Sequence, residues 1–298
     1  MECSVSLERG IGPSTTCTSC RRAPVTTASH ALKSMFMVRA GLDAAVGHPQ
    51  HALVIAGQHK LIKAFPFRGS ELEAKFRGEI DTSRWEAAMK ALPLSGSLPL
   101  LFNQSRIISV PDTASRHNTP SHCHIISREL RTLPYHKGGL IVLYIGGICY
   151  YECFQELNVV LICDIDNVLA NIAAIARSFP VYSRKTDGHT PVTVKVEVCV
   201  PDGELVDDDI NYLKHLACSI RDVCCMVDTP ANELTTEAFL EKATYTAKQL
   251  GVKQVTISGE DLRQQGFGGI YCVGKAGPTP PIFTVLSFEP QKRQRRTA

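Results

Sequence analysis

The chain has 298 residues, 44% of them hydrophobic and 20% charged, with 12 cysteines and a formal net charge of +3. These proportions exclude a disordered chain and a coiled coil, and at about 100–200 residues per domain the length leaves room for two cores. The positive charge sits at the ends: residues 1–42 carry five basic and two acidic side chains and the last eight residues four basic ones, so the body between them is mildly acidic and does not point to nucleic acid.

Residues 1–42 read as an unstructured, basic, Ser/Thr-rich tail without an acid between Glu8 and Asp43. Acid-poor, Arg-containing ends also occur in mitochondrial transit peptides; a cytoplasmic chain with a plain extension is the simpler expectation. There is no clear secretory signal, and the cysteine spacing is irregular, so the thiols are expected to be reduced and intracellular. Structure is expected to start near His51. The run His51-Ala-Leu-Val-Ile-Ala56, closed by Gly57, predicts a buried strand. Ser83-Arg-Trp-Glu86 has capping-box spacing and opens a helix ended by Pro93. Residues 98–109 are strand-like, and 111–121 form a polar loop. The apolar run at 138–154 is either an extra strand or an insertion, and the longest uncharged stretch within it, between Lys137 and Glu152, is short of the roughly 18 residues a membrane span takes.

Asn158-Val-Val-Leu-Ile-Cys163 predicts another buried strand, followed by a helix capped by Asp166 or Asn167 and stopped at Pro180. Residues 192–200 alternate Val192, Val194, Val196 and Val198 with other partners, the mark of a half-exposed strand. From Asp207 the apolar positions Ile210, Leu213, Ala217, Ile220, Cys224 and Val227 repeat at helical spacing, with three aspartates in the first turn and a break at Asp228-Thr-Pro230. A second helix runs from Thr235 or Thr236 to Gly251. A strand at 252–257, a short helix capped by Ser258, a flexible turn at Gly266-Phe-Gly-Gly269 and a strand at 282–288 follow. Interleaved strands and helices indicate an α/β layer architecture.

The chain has no G-x-S-x-G elbow, no H-E-x-x-H, no P-loop and no dinucleotide-binding glycine fingerprint. Cys17 and Cys20 are half of a zinc ligand set with no second pair. His117, His122, Cys123 and His124 are dense enough for a metal or a Cys–His pair, against the plainer reading of solvated loop histidines. Cys224 and Cys225 read as buried, inert thiols. The apolar strand ending in Asp164-Ile-Asp166-Asn-Val168 resembles the first motif of haloacid-dehalogenase-like phosphohydrolases. There the first Asp is a nucleophile and the second a general acid/base beside magnesium; the plainer reading is a strand end and a helix cap.

The segment Arg221-Asp-Val-Cys-Cys-Met-Val-Asp228-Thr-Pro230-Ala-Asn232-Glu-Leu-Thr235 resembles the leucine aminopeptidase (cytosol aminopeptidase) family at the entry to its catalytic domain. Gly266-Phe-Gly-Gly-Ile-Tyr271, Val273-Gly-Lys-Ala276 and Pro280-Pro281 before an apolar strand are similar to the family's probable-aminopeptidase-like branch. Upstream, Ser115-Arg-His-Asn118-Thr-Pro120 and Ala174-Ile-Ala-Arg177-Ser-Phe-Pro180 resemble the same branch. The resemblance implies a macro-domain-like three-layer α/β domain over 43–205, a linking helix over 206–227 and the truncated start of an exopeptidase-type α/β catalytic domain over 228–290, with a basic tail at 291–298.

Family members of full length are, on this resemblance, hexameric enzymes that release N-terminal amino acids from peptides, with two zinc or manganese ions activating a bridging water. Their metal ligands lie in a Lys-Gly motif leading to Asp-Ser/Thr-Gly-Gly, a further Asp, and Asn-Thr-Asp-Ala-Glu-Gly-Arg. None of these occurs here, and Lys275 is not assigned as a ligand because Gly277-Pro278 follows it. The expectation is therefore no catalytic, metal or cofactor residue in this chain, no peptidase activity alone, and association with full-length subunits as an alternative role. Apolar faces over 206–288 are expected to be partly exposed.

Overall fold

The computed structural model describes residues 36–42, 52–101, 104–115, 121–133, 141–145, 148–152, 156–179, 182 and 193–289. They fall into two compact units, the first ending at Cys224 and the second beginning at Cys225.

The first unit is built on a six-stranded sheet. Its strands are β1 (Phe36–Ala40), β2 (Ala52–Gln58), β3 (Gly96–Leu100), β4 (Ser105–Val110), β7 (Glu156–Ile162) and β8 (Thr193–Cys199), in the order β1-β8-β7-β2-β4-β3. All neighbours are parallel except β3, which runs antiparallel to β4 along the edge. Pro99 fits there, since an edge strand can spare an N–H. Every residue of β2 is buried, as a central parallel strand covered on both faces requires. Ala52, Val54 and Ala56 point into one core with Val159 and Leu161; Leu53 and Ile55 point into the other with Val160 and Ile162.

Helices α4 (Cys123–Arg131), α5 (Ile165–Arg177) and α6 (Asp207–Asp228) close the first core through Ile126, Leu130, Ile172, Ile175, Leu213 and Ala217. Helices α1 (His59–Ala64), α2 (Glu71–Lys75) and α3 (Thr82–Ala91) close the second through Ile62, Leu72 and Trp85. Phe67 stacks on Trp85 at 4.5 Å, with Phe76 tilted against both. The result is the three-layer α/β arrangement expected. A separate two-stranded sheet joins β5 (Ile141–Ile145) to β6 (Ile148–Glu152), so the run at 138–154 holds two strands outside the main sheet.

Several local expectations change. The segment 36–42 is not part of an unstructured tail: β1 pairs in register with β8 and buries Phe36 and Val38, which one isolated pair of apolar residues could not signal. Strand β8 is not half-exposed. It lies between β1 and β7, and Glu197 on its second face is buried beside Lys75 at 2.9 Å, a pairing that period-2 reading cannot foresee. Residues 98–109 form a hairpin rather than one strand. Asp81, not Ser83, caps α3 by accepting from the Arg84 N–H; Asp164, not Asp166 or Asn167, is the residue before α5. Helix α6 does more than link: Ile210, Leu213 and Ala217 belong to the first core, and buried Arg221 donates from Nε to the Phe179 carbonyl at 3.2 Å with its guanidinium 5.5 Å from the Phe36 ring. Its stripe does not extend to Val227, which is exposed.

The second unit holds α7 (Thr236–Leu250), β9 (Lys253–Ser258), α8 (Glu260–Gln264), α9 (Gly268–Gly274) and β10 (Ile282–Ser287). Strands β9 and β10 form an antiparallel pair. Gln254 donates from Nε2 to Thr244 of α7 at 3.0 Å and to Thr284 at 3.1 Å, so this face of the pair meets α7. The opposite face carries Phe283, whose ring lies 5.0 Å from that of Phe267. Gly268-Gly269 starts a helix instead of continuing a flexible turn, and Gly259 rather than Ser258 precedes α8. Among the described residues, only Ala247 and Leu262 are buried apolar side chains of this unit.

Candidate functional site

The carboxyl ends of β2 and β7 are where an open parallel sheet ordinarily offers a ligand crevice, because the connections leave these neighbours toward opposite sides. Gly57 lets the two backbones approach: a Cβ there would lie 1.9 Å from the Ile162 carbonyl oxygen. Beyond it, buried Gln58 donates from Nε2 to Asp164 Oδ2 at 2.7 Å, and the Asp164 N–H donates to Gln58 Oε1 at 2.7 Å. This reciprocal clamp spans the switch point. Nearby carboxylates are engaged too: Asp112 accepts from the Lys60 N–H at 2.9 Å, and Asp202 from the Ile165 N–H at 3.2 Å. Asp166 is exposed in the first turn of α5. The arrangement ties loops together.

A Ser–His contact also occurs at this end, with His59 Nδ1 3.0 Å from Ser109 Oγ and 3.2 Å from the Pro93 carbonyl. Ser109 is fully buried, so its hydroxyl has no access to a substrate and fastens α1 to β4. Gln58, His59, Ser109 and Asp202 were not singled out in the sequence, because their partners lie tens of residues away.

The histidine group is only partly gathered. His122 and His124 stack edge-on at 5.7 Å, His122 Nε2 lies 3.1 Å from the Thr113 carbonyl, and Cys123 begins α4. His117, Cys17 and Cys20 lie outside the described residues. Cys224 and Cys225 are half-buried rather than buried. No three His, Cys, Asp or Glu side chains among the described residues come together as a metal ligand set.

In the second unit, Lys275 places its ammonium 5.9 Å from the Tyr271 ring. Glu260 is held below the usual carboxylate range by hydrogen bonds from Tyr271 and Arg263, and the same contact pushes the Tyr271 phenol up. The side chains present do not fit a two-metal centre: the carboxylate nearest this segment is taken by Tyr271 and Arg263, and no ligand group surrounds Lys275.

The model of the cytosol aminopeptidase family catalytic domain matches residues 223–298, and that of the M17 aminopeptidase N-terminal domain 2 matches 51–188. The chain belongs to the cytosol aminopeptidase family. Leucine aminopeptidase 1 of Caenorhabditis elegans is 37% identical over 85% of this chain and 48% of that protein. Probable aminopeptidase NPEPL1 of Homo sapiens is 32% identical over 80% of this chain and 43% of its own length. The chain thus spans about half the length of the curated relatives it matches.

The solved structure of the worm leucine aminopeptidase superposes with a TM-score of 0.74 over 85% of this chain. An M17 aminopeptidase from Trypanosoma brucei, 22% identical, shares the fold with a TM-score of 0.61. The catalytic-domain match runs through the basic end at 291–298, which charge alone had set apart. Family membership leaves the phosphohydrolase reading of Asp164 and Asp166 without a basis, and the clamp explains why Asp164 stands at a strand end. No described helix is long and apolar enough to cross a membrane.

Proposed function

We propose that this chain is a leucine-aminopeptidase-like protein carrying the family's N-terminal domain, from β1 through α6, and the first part of its catalytic domain, without a dimetal centre of its own. The proposed family activity is release of N-terminal amino acids from peptides, with divalent zinc or manganese and hexameric assembly belonging to whole enzymes. The observation that carries the reading is the catalytic-domain match at 223–298 over a segment whose described side chains form no metal ligand set. Absence of the Asp-Ser/Thr-Gly-Gly and Asn-Thr-Asp-Ala-Glu-Gly-Arg motifs from the sequence supports it. A dimetal enzyme activates its water between two ions, and no residue identified here replaces that step.

The purified 298-residue chain is expected to give no turnover of leucine-aminoacyl substrates above background with manganese or zinc added. Metal-dependent turnover that survives repurification and disappears with chelator overturns the proposal.

A further inference from the structure

The second unit is covered on its faces and open on its edges. Helix α7 lies on one face of the β9–β10 pair, and Phe267, at the start of α9, lies on the other, yet the sheet has only two strands. Two strands alone are marginal in water, and an unpaired edge is a template for another strand. The two edges differ. Strand β9, Lys-Gln-Val-Thr-Ile-Ser, begins with a lysine and is largely polar. Strand β10, Ile-Phe-Thr-Val-Leu-Ser, has no charge, proline or glycine to guard it. Val285 and Leu286 on it are 40% and 38% exposed. Beside β10 runs a groove of about 400 Å³ lined by Leu234, Phe239, Leu240, Ile282 and Phe283, with Phe239 50% exposed.

We infer that the β10 edge and this groove form a docking surface for the remainder of a cytosol-aminopeptidase catalytic domain, which adds a strand to β10 and seats apolar side chains in the groove. The inference rests on the family reading above. The occupant follows from the lengths: the catalytic-domain match begins at residue 223, while the worm relative is about twice as long as the part this chain spans. The surface is therefore one that, in the relatives, has further chain of the same domain available to cover it. The chemistry it selects is an uncharged strand with alternating apolar side chains, since main-chain hydrogen bonds supply affinity and the groove supplies specificity.

The test is co-expression of the full 298-residue chain, tagged, with the part of C. elegans leucine aminopeptidase 1 that this chain does not span. The expected result is recovery of the two as a soluble complex. Val285→Lys and Phe239→Asp, both at exposed positions, are each expected to reduce capture at least about tenfold, because a charge is then driven into an apolar contact. Val255→Lys, on β9, is expected to keep capture within about twofold, as a site removed from the contact should. Unit folding is checked for each variant by circular dichroism.

Failure of the parent chain to capture the partner overturns the inference. So does equal capture by the β10 variants, or an equal loss with Val255→Lys. Sedimentation of the chain alone adds another arm: a stable dimer broken by Val285→Lys would make a second copy the occupant and overturn the assignment. Turnover by the chain alone bears on the functional proposal only, so the two failures are separable.

Discussion

Cys163 shows how one position in a strand-to-helix junction can be chemically silent beside a polar neighbour. Its side chain is buried at the end of β7, and burial pushes the thiol from 9.0 up to about 12, against the opposing hydrogen bond with Asn171. Asp164, Asp202 and Cys199 push in the same direction as burial. The thiolate is the reactive form, so this residue is inert in the native state. Iodoacetamide at neutral to mildly alkaline pH is expected to label exposed Cys272 while leaving Cys163 unmodified until denaturant is added. Peptide mass mapping that finds Cys163 alkylated in the native chain contradicts this. The linkage runs in one direction: with a native value above the unfolded one, the thiol's contribution to stability is complete below pH 9.0 and is lost as pH rises from there toward about 12. Cys163→Ala is expected to flatten the stability profile across that window alone.

At the scale of elements, Gly57 decides how closely β2 and β7 pack. A methyl group 1.9 Å from the Ile162 carbonyl oxygen cannot be absorbed by a side-chain rotation, because the obstacle is backbone. Gly57→Ala is expected to cost about 3 kcal/mol, near the top of the usual range for overpacking. Trp85, the chain's single tryptophan, lies in the second core and reports the urea transition of the first unit; an unchanged midpoint would show the strands can part without loss.

The same contrast explains what the sequence made visible. Helix α7 was legible at both ends because capping is local: Thr235 Oγ1 accepts from the Ala238 N–H at 3.2 Å, and Gly251 takes φ 64° just past the last turn. The buried strands β2 and β7 were legible as continuous apolar runs. Strand β1 was not, since five residues with two inward side chains carry no period of their own. Nor was the clamp at the candidate site, where Gln58 and Asp164 are 106 residues apart, or the Lys75–Glu197 pair, 122 apart. Local chemistry is written in consecutive residues; pairings across the sheet depend on strand order, which a single sequence does not print.

For the whole molecule, the decisive quantity is how apolar burial is divided. The first unit buries two clusters on either side of a six-stranded sheet, with strand residues such as Ile55, Ile107 and Val160 essentially inaccessible. The second buries Ala247 and Leu262 among its described residues, while Phe288, Val273 and Leu250 stand more than 60% exposed. Burial at about 25 cal/mol per Å² is the main term set against chain entropy, so the two units cannot hold equal protection. Amides of β9 and β10 are expected to exchange at least about a hundredfold faster than those of β2 and β7, a gap of about 2.7 kcal/mol in opening free energy. Hydrogen exchange read by mass spectrometry at peptide resolution measures this on the intact chain. Equal protection of the two regions would mean that the second unit is stabilised by something other than its own apolar contacts. A selective slowing of β10 exchange when the remainder of the worm catalytic domain is present would identify that missing stabilisation with the edge left open.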